Sequence, residues 1–187
     1  MACMSGVNSN VLSEKMEGKI VECIYELTKR MIEYYKGDPD RISHFMKVHG
    51  FAKQIGEGEA LNEKALLLLE AAALVHDIGI KPAEEKYGSC DGKLQEQEGP
   101  APARVILDGL GFEPDDIERI CYLVAHHHTY TNVDGKDYRI LLEADFLVNL
   151  YEQHNSGEEI EAALKNIFRT DTGISICKKM YAIETAV

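Results

Sequence analysis

The run Ala71-Ala72-Ala73-Leu74-Val75-His76-Asp77-Ile78-Gly79 decides how this chain is read. A stretch that is apolar on every side suits a helix buried all round. This one ends in an imidazole and a carboxylate side by side. Burying either group costs free energy unless a partner compensates, and a divalent cation compensates both. Further His and Asp residues stand before and after the pair, at separations that suit a shared metal site.

Outward from that run the pattern is helical almost throughout. Residues 11–35 carry Ile20, Ile24, Leu27, Met31 and Ile32 as an apolar stripe. Gly37-Asp38-Pro39-Asp40 breaks the chain, and a second helix over 40–55 turns Ile42, Phe45, Val48, Phe51 and Ala52 inward until Gly56 and Gly58 end it. Asn62 caps a third helix that reaches Val75 or Asp77. Glycines and prolines then cluster over 79–102, which reads as a long loop holding no more than a short helical turn. Helices follow over 103–110, from Pro114 to the histidines at 126–128, and over 138–151, 157–168 and 173–185. No strand alternation and no linker interrupts them. The expectation is an all-α, single-domain compact bundle of seven or eight helices over residues 1–187.

Composition narrows the function. The 187 residues are 45% hydrophobic and 28% charged, as in a soluble globular domain. With 32 Asp+Glu against 20 Lys+Arg the net charge is −12, which argues against a nucleic-acid polymer or an anionic membrane as partner. A small phosphorylated molecule stays open, because a metal supplies positive charge locally. No stretch approaches the ~20 apolar residues that span a membrane. Residues 1–9 lack the basic and apolar regions of a signal peptide, so a cytoplasmic location is expected. Five cysteines without a C-x-x-C pair read as reduced thiols.

Two more acidic or imidazole groups sit on apolar helical faces. His44 precedes Val48 and Ala52 by four and eight residues and lies on or near the inward side. His49 lies about 140° round the same helix from His44 and reads as a surface or structural histidine. Asp145, within Leu141-Leu142-Glu143-Ala144-Asp145-Phe146-Leu147-Val148, is a carboxylate embedded in an apolar helix and calls for a partner. Glu143 should point elsewhere. In His126-His127-His128 at least one ring must point away, because successive helical residues turn by ~100°. Glu57, Glu59 and Glu63 read as solvated surface.

This order of residues resembles the HD superfamily of metal-dependent phosphohydrolases. The motifs are Arg41-Ile42-Ser43-His44 with Val48 and Ala52, then Ala72 to Gly79 with His76-Asp77, then His126-His127, then Glu143-Ala144-Asp145-Phe146-Leu147. Together they place the signature core at 41–151, followed by C-terminal helices over 156–185. The resemblance implies that His44, His76, Asp77 and Asp145 hold one metal ion. Some branches add a second ion on further histidines, with the Asp of the pair bridging. His126 and His127 match those histidines. A third histidine normally lies in the loop after the pair; here Glu96 or Glu98 falls about there, and Glu98 is the carboxylate put forward.

Imidazole and carboxylate donors suit Fe, Mn, Co, Ni or Zn. An ion so held brings the pKa of bound water toward neutrality and polarises a phosphoryl oxygen. Asp77 would orient the water. Lys81, four residues on, and Arg104, near the start of a helix, are the candidate phosphate contacts. Lys81 or His128 would assist the leaving group as proton donor. The expected substrate is a small phosphate ester such as a nucleotide, and an oligomer is compatible with the sequence. Ile80 and Lys81 stand where the alarmone-degrading branch carries Glu-Asp, the Glu of the nucleotidase branch is absent there too, and Lys136-Asp137-Tyr138 replaces the Gly-Tyr-Pro of the cyclic-dinucleotide branch. Two other functions are compatible with the motifs: a di-iron oxygenase, which needs the second ion, and a metal- and nucleotide-binding regulatory module without turnover.

Overall fold

The computed structural model describes residues 9–183, with side chains from Ile20 onward. The sequence readings that rest on residues 1–8, on Cys3 and on Thr185 lie outside the described residues. Ten helices follow one another, and no strand occurs among the described residues: α1 Ser9–Tyr34, α2 Pro39–Gly58, α3 Glu63–Val75, α4 Ile80–Tyr87, α5 Gly92–Glu98, α6 Pro100–Asp108, α7 Pro114–Val124, α8 Gly135–Glu152, α9 Gly157–Asn166 and α10 Asp171–Met180. No helix among them is long and apolar enough to cross a membrane.

Local chemistry sets most of the ends. The Asp38 side chain accepts from the Arg41 amide, with Pro39 at the first helical position of α2. Asn62 accepts from the Ala65 amide to open α3. Ser156 and Glu159 form a reciprocal capping box on α9, and Thr170 caps α10 by accepting from Gly173. Gly88, at φ 67°, ends α4 in the left-handed conformation that glycine adopts without penalty.

Helix α3 is the hub. Every residue of Leu69–Val75 is buried, and α3 packs against α1, α2, α7 and α8. Helix α8 is nearly as deeply set, with Ile140, Leu141, Leu142, Ala144 and Leu147 at or near zero exposure, and α2 lies across both. The three helices that carry the expected ligands therefore meet in the middle of one continuous core.

The segment 79–102 is not a loop. It forms α4, α5 and the start of α6, which raises the number of helices from the expected seven or eight to ten. The glycines and prolines stand at boundaries: Gly88 and Gly99 lie between helices, Pro100 opens α6, and Pro82 and Pro102 sit in first turns, where a missing N–H leaves no intrahelical bond unmade. Helix α2 also runs through Gly56, whose hydrogen-only side chain lets Leu66 and Leu69 pack against the backbone. Ile32, expected inside, is 41% exposed; the buried stripe is Ile24, Leu27 and Met31 of α1, continued by Tyr35 just past its end.

Candidate metal centre

The inward face of α2 is set by Phe45, Val48, Ala52 and Ile55, all buried, and this brings His44 over the end of α3. There the helix tightens into a turn, with the Ile78 amide on Val75 O at 3.0 Å and the Ile80 amide on Asp77 O at 3.0 Å. The end of α1 and the residue after it buttress that turn: the Tyr35 hydroxyl donates to Asp77 O at 2.6 Å and the Tyr34 hydroxyl to Ile78 O at 3.2 Å. His76, fully buried, donates from Nδ1 to Ala73 O at 2.9 Å, so its Nε2 points to the centre. Asp145 comes from α8 and accepts from Asn149 Nδ2 at 2.8 Å.

Four donor atoms converge. His44 Nε2 lies 3.3 Å from His76 Nε2, 3.4 Å from Asp77 Oδ2 and 3.3 Å from Asp145 Oδ1. His76 Nε2 lies 3.3 Å from Asp77 Oδ2 and 3.6 Å from Asp145 Oδ1. Ligand distances of about 2.0–2.2 Å around a single ion produce donor spacings of this size. The structure thus brings His44, His76, Asp77 and Asp145 together.

Charge makes the same case. Burial alone would push the carboxyl groups of Asp77 and Asp145 up, but the surrounding imidazoles hold both well below the usual carboxylate range. Burial alone would push His44 and His76 down, but the two carboxylates outweigh it and hold both above an ordinary imidazole. Without an ion, protons on the imidazoles balance the two carboxylates. A divalent cation replaces those protons with nothing else displaced, so these residues fit one. No thiol joins the donors among the described residues, which keeps the choice among Fe, Mn, Co, Ni and Zn.

A second group adjoins the first. Asp77, His127 and His128 offer donor atoms within 4.8 Å of one another, and Asp77 Oδ1 lies 3.2 Å from His127 Nε2. His127 is oriented like His76, by donation from Nδ1 to Val124 O at 2.7 Å. His126 turns away. Its Nδ1 donates to Tyr122 O at 2.7 Å and its ring packs on Tyr122 at 4.2 Å. Of the expected pair His126 and His127, the structure brings only His127 to the second group, and His128 stands there in place of His126.

Glu98 is corrected as well. It is bound by Lys86 and by the Tyr87 hydroxyl against α4. Glu96, about 200° round α5, faces the histidines without being a donor to either group. It accepts from the His128 amide at 3.0 Å and the Thr129 hydroxyl at 2.8 Å. The residue of α5 that faces the second group is Gln95, whose Oε1 accepts from His128 Nε2 at 3.2 Å.

Both groups open on a cavity of about 720 Å³. Arg41, His128, Tyr130, Phe146, Asn149 and Glu152 contribute to its wall. Neither expected phosphate contact does. Lys81 is exposed, 3.4 Å from Tyr34 O and over the Tyr34 ring. Arg104 is exposed and paired through both amino nitrogens with Glu118 at 2.7 and 2.9 Å. His128 does not suit the role of proton donor: burial, then the neighbouring His127, push it down to about 4, so it is neutral near pH 7.

Sequence reasoning missed Glu152, Asn149 and Gln95. The first two carried a signal: Asp145, Asn149 and Glu152 follow the i, i+4, i+7 spacing and make a polar stripe along α8. Glu152 Oε2 accepts from His44 Nδ1 at 2.8 Å and its Oε1 from Lys47 at 2.8 Å, so the His44 ring is held by a carboxylate behind it. Gln95 was hidden because its segment was read as a loop. His49 pairs with Glu70 at 2.9 Å, away from the centre. Glu143 accepts from the Arg169 and Thr170 amides. Glu59, expected on the solvated surface, is half-buried and caps α10 through the Thr172 amide.

Comparison with known proteins gives one assignment. The family model described as HD domain matches residues 41–171. No match was found among curated proteins or solved structures. The match spans α2 to the start of α10 and takes in His44, His76, Asp77 and Asp145, and the HD superfamily is one of metal-dependent phosphohydrolases. The chain belongs to the HD domain family.

Proposed function

We propose that this protein hydrolyses a small phosphate ester, a phosphorylated metabolite or nucleotide, with the help of a divalent transition metal. The observation that carries the reading is that His44 Nε2 and His76 Nε2 lie 3.3 Å apart and each within 3.3–3.6 Å of Asp77 Oδ2 and Asp145 Oδ1, beside one cavity. His44, His76, Asp77 and Asp145 would hold the ion, which supplies a Lewis acid for a phosphoryl oxygen and a water made nucleophilic near neutrality. Asp77 would serve both groups, with Oδ2 near His44 and His76 and Oδ1 3.2 Å from His127 Nε2, and would orient the attacking water. Arg41 is the guanidinium on the wall and takes over the phosphate contact expected of Lys81 and Arg104. His128, neutral and tied to Gln95, offers a lone pair rather than a proton.

The test is turnover by metal-loaded protein on a broad panel of phosphate esters. Hydrolysis that falls about a hundredfold or more in an Asp77→Ala variant is the expected result. Turnover no greater than that of the variant on every substrate would overturn the reading. The Asp77–His127–His128 group favours a second reading, a di-iron oxygenase. Two irons per chain with substrate-dependent oxygen uptake would establish that reading, and one metal per chain would remove it.

A further inference from the structure

Past the metal ligands, the cavity wall carries one cation and several anions. Among its lining residues Arg41 alone bears a lysine or arginine charge, whereas Asp40, Glu152 and Glu159 are carboxylates and Asn149 and Gln153 are amides. Arg41 is itself already paired, with Asp38 at 3.0 Å and Glu84 at 2.7 Å. The nearby lysines are committed too: Lys47 to Glu152 at 2.8 Å and Lys93 to Glu96 at 2.6 Å. The ion balances Asp77 and Asp145, and it and Arg41 together serve one phosphoryl group. Glu152 is already answered by Lys47 and His44, but Asp40 and Glu159 have no Lys or Arg within ion-pair distance among the described residues, so the rest of the wall repels a second anion and offers nothing to neutralise it. Amide side chains and the edge-to-face pair Tyr130–Phe146, 5.2 Å apart, suit instead hydroxyls, amines and flat neutral surfaces.

We propose that the cavity selects phosphomonoesters whose organic group carries no second anion, being neutral or amine-bearing, and rejects bisphosphates and phosphorylated acids. This rests on the phosphohydrolase reading above.

The experiment uses two matched pairs with manganese-loaded full-length protein. O-phosphoethanolamine is compared with 2-phosphoglycolate, and adenosine 5′-monophosphate with adenosine 3′,5′-bisphosphate. In each pair kcat/KM should favour the first member by about tenfold or more at low salt, and added salt should narrow the gap. Gln153→Lys, which adds a cation at an exposed position on the wall, should shrink both ratios by about threefold or more. Equal kcat/KM within both pairs, or a preference for the extra anion, would overturn the proposal and leave the phosphohydrolase reading standing. If none of the four is hydrolysed beyond the Asp77→Ala level, the phosphohydrolase reading is decided by the broad panel above and not by these compounds. Calorimetric binding of the same four compounds then decides the selectivity: tighter binding of the neutral and amine members upholds it, and equal, reversed or no binding overturns it.

Discussion

At the scale of single residues, the centre is built by fixing one nitrogen of each ring so that the other is free. Backbone carbonyls do this for His76 and His127, while His44 is held by the Glu152 carboxylate. Burial would raise the Glu152 carboxyl, but its bonds to Lys47 and His44 bring it below the usual value, so it stays an ionised acceptor. Such a partner aligns the imidazole and raises its basicity as a ligand. Glu152→Gln should weaken metal affinity by about tenfold or more in competition with a chelator, whereas Lys47→Met should leave it close to wild type. Unchanged affinity in Glu152→Gln would refute the role. His128 predicts a pH effect. Its folded pKa, about 4, lies below the ordinary ~6.5, so the fold favours the neutral ring. That contribution is complete above ~6.5 and is lost as pH falls toward 4. In chelated protein, the urea midpoint of wild type should fall relative to His128→Gln over that window and stay parallel above it. A gap that does not vary with pH would contradict the assignment.

At the scale of elements, α5 is the piece that completes the site, and two glycines let it approach. A methyl on Gly79 would strike the Gln95 carbonyl and come within 2.8 Å of the Gly99 nitrogen; one on Gly99 would meet Val124 at 2.5 Å. The obstacle at Gly79 is backbone, which cannot rotate away. Gly79→Ala should cost about 1–3 kcal/mol in denaturant unfolding. Gly50→Ala, where nothing lies within 4 Å, should stabilise α2 by about 0.5–1 kcal/mol. Equal effects at the two positions would show that close approach of α5 is not what Gly79 provides. The same element marks the limit of what the sequence discloses. His44, His76, Asp77 and Asp145 were legible because each sits on a long apolar helix whose period fixes its direction. The order of helices was legible for the same reason. Residues 79–102 were not, because short helices carry too few turns for a period to show, and their Gly and Pro residues mark boundaries as well as loops. Glu98 and Lys81 went astray with them, and Arg104 just beyond. Their charges were visible, but Lys86, Tyr34 and Glu118, the neighbours that occupy them, come from tertiary packing.

At the scale of the molecule, the four ligands tie α2, the turn after α3, and α8 at one point, and His44 and Asp145 are more than half the chain apart. Those segments form the middle of the core, so an ion there is bound by the folded state and by little of the unfolded one. Mass action then makes the metal a stabiliser. At free metal about a hundredfold above its dissociation constant the gain is about 2.7 kcal/mol, which for a chain of this length corresponds to about 5–10 °C in Tm. Chelation of metal-loaded protein should lower Tm by that amount, and re-addition should restore it. His76→Ala should melt lower from the outset because it opens a void in a fully buried position, and chelation should move it no further. If chelator leaves the wild-type Tm where it was while metal analysis shows the ion removed, the ion does not join these helices. If His76→Ala still responds to chelator, the ion binds elsewhere. The joint outcome, a reversible shift in wild type that His76→Ala abolishes, requires that fold and site share the same residues, because no surface-bound ion would depend on an imidazole sealed at the end of α3.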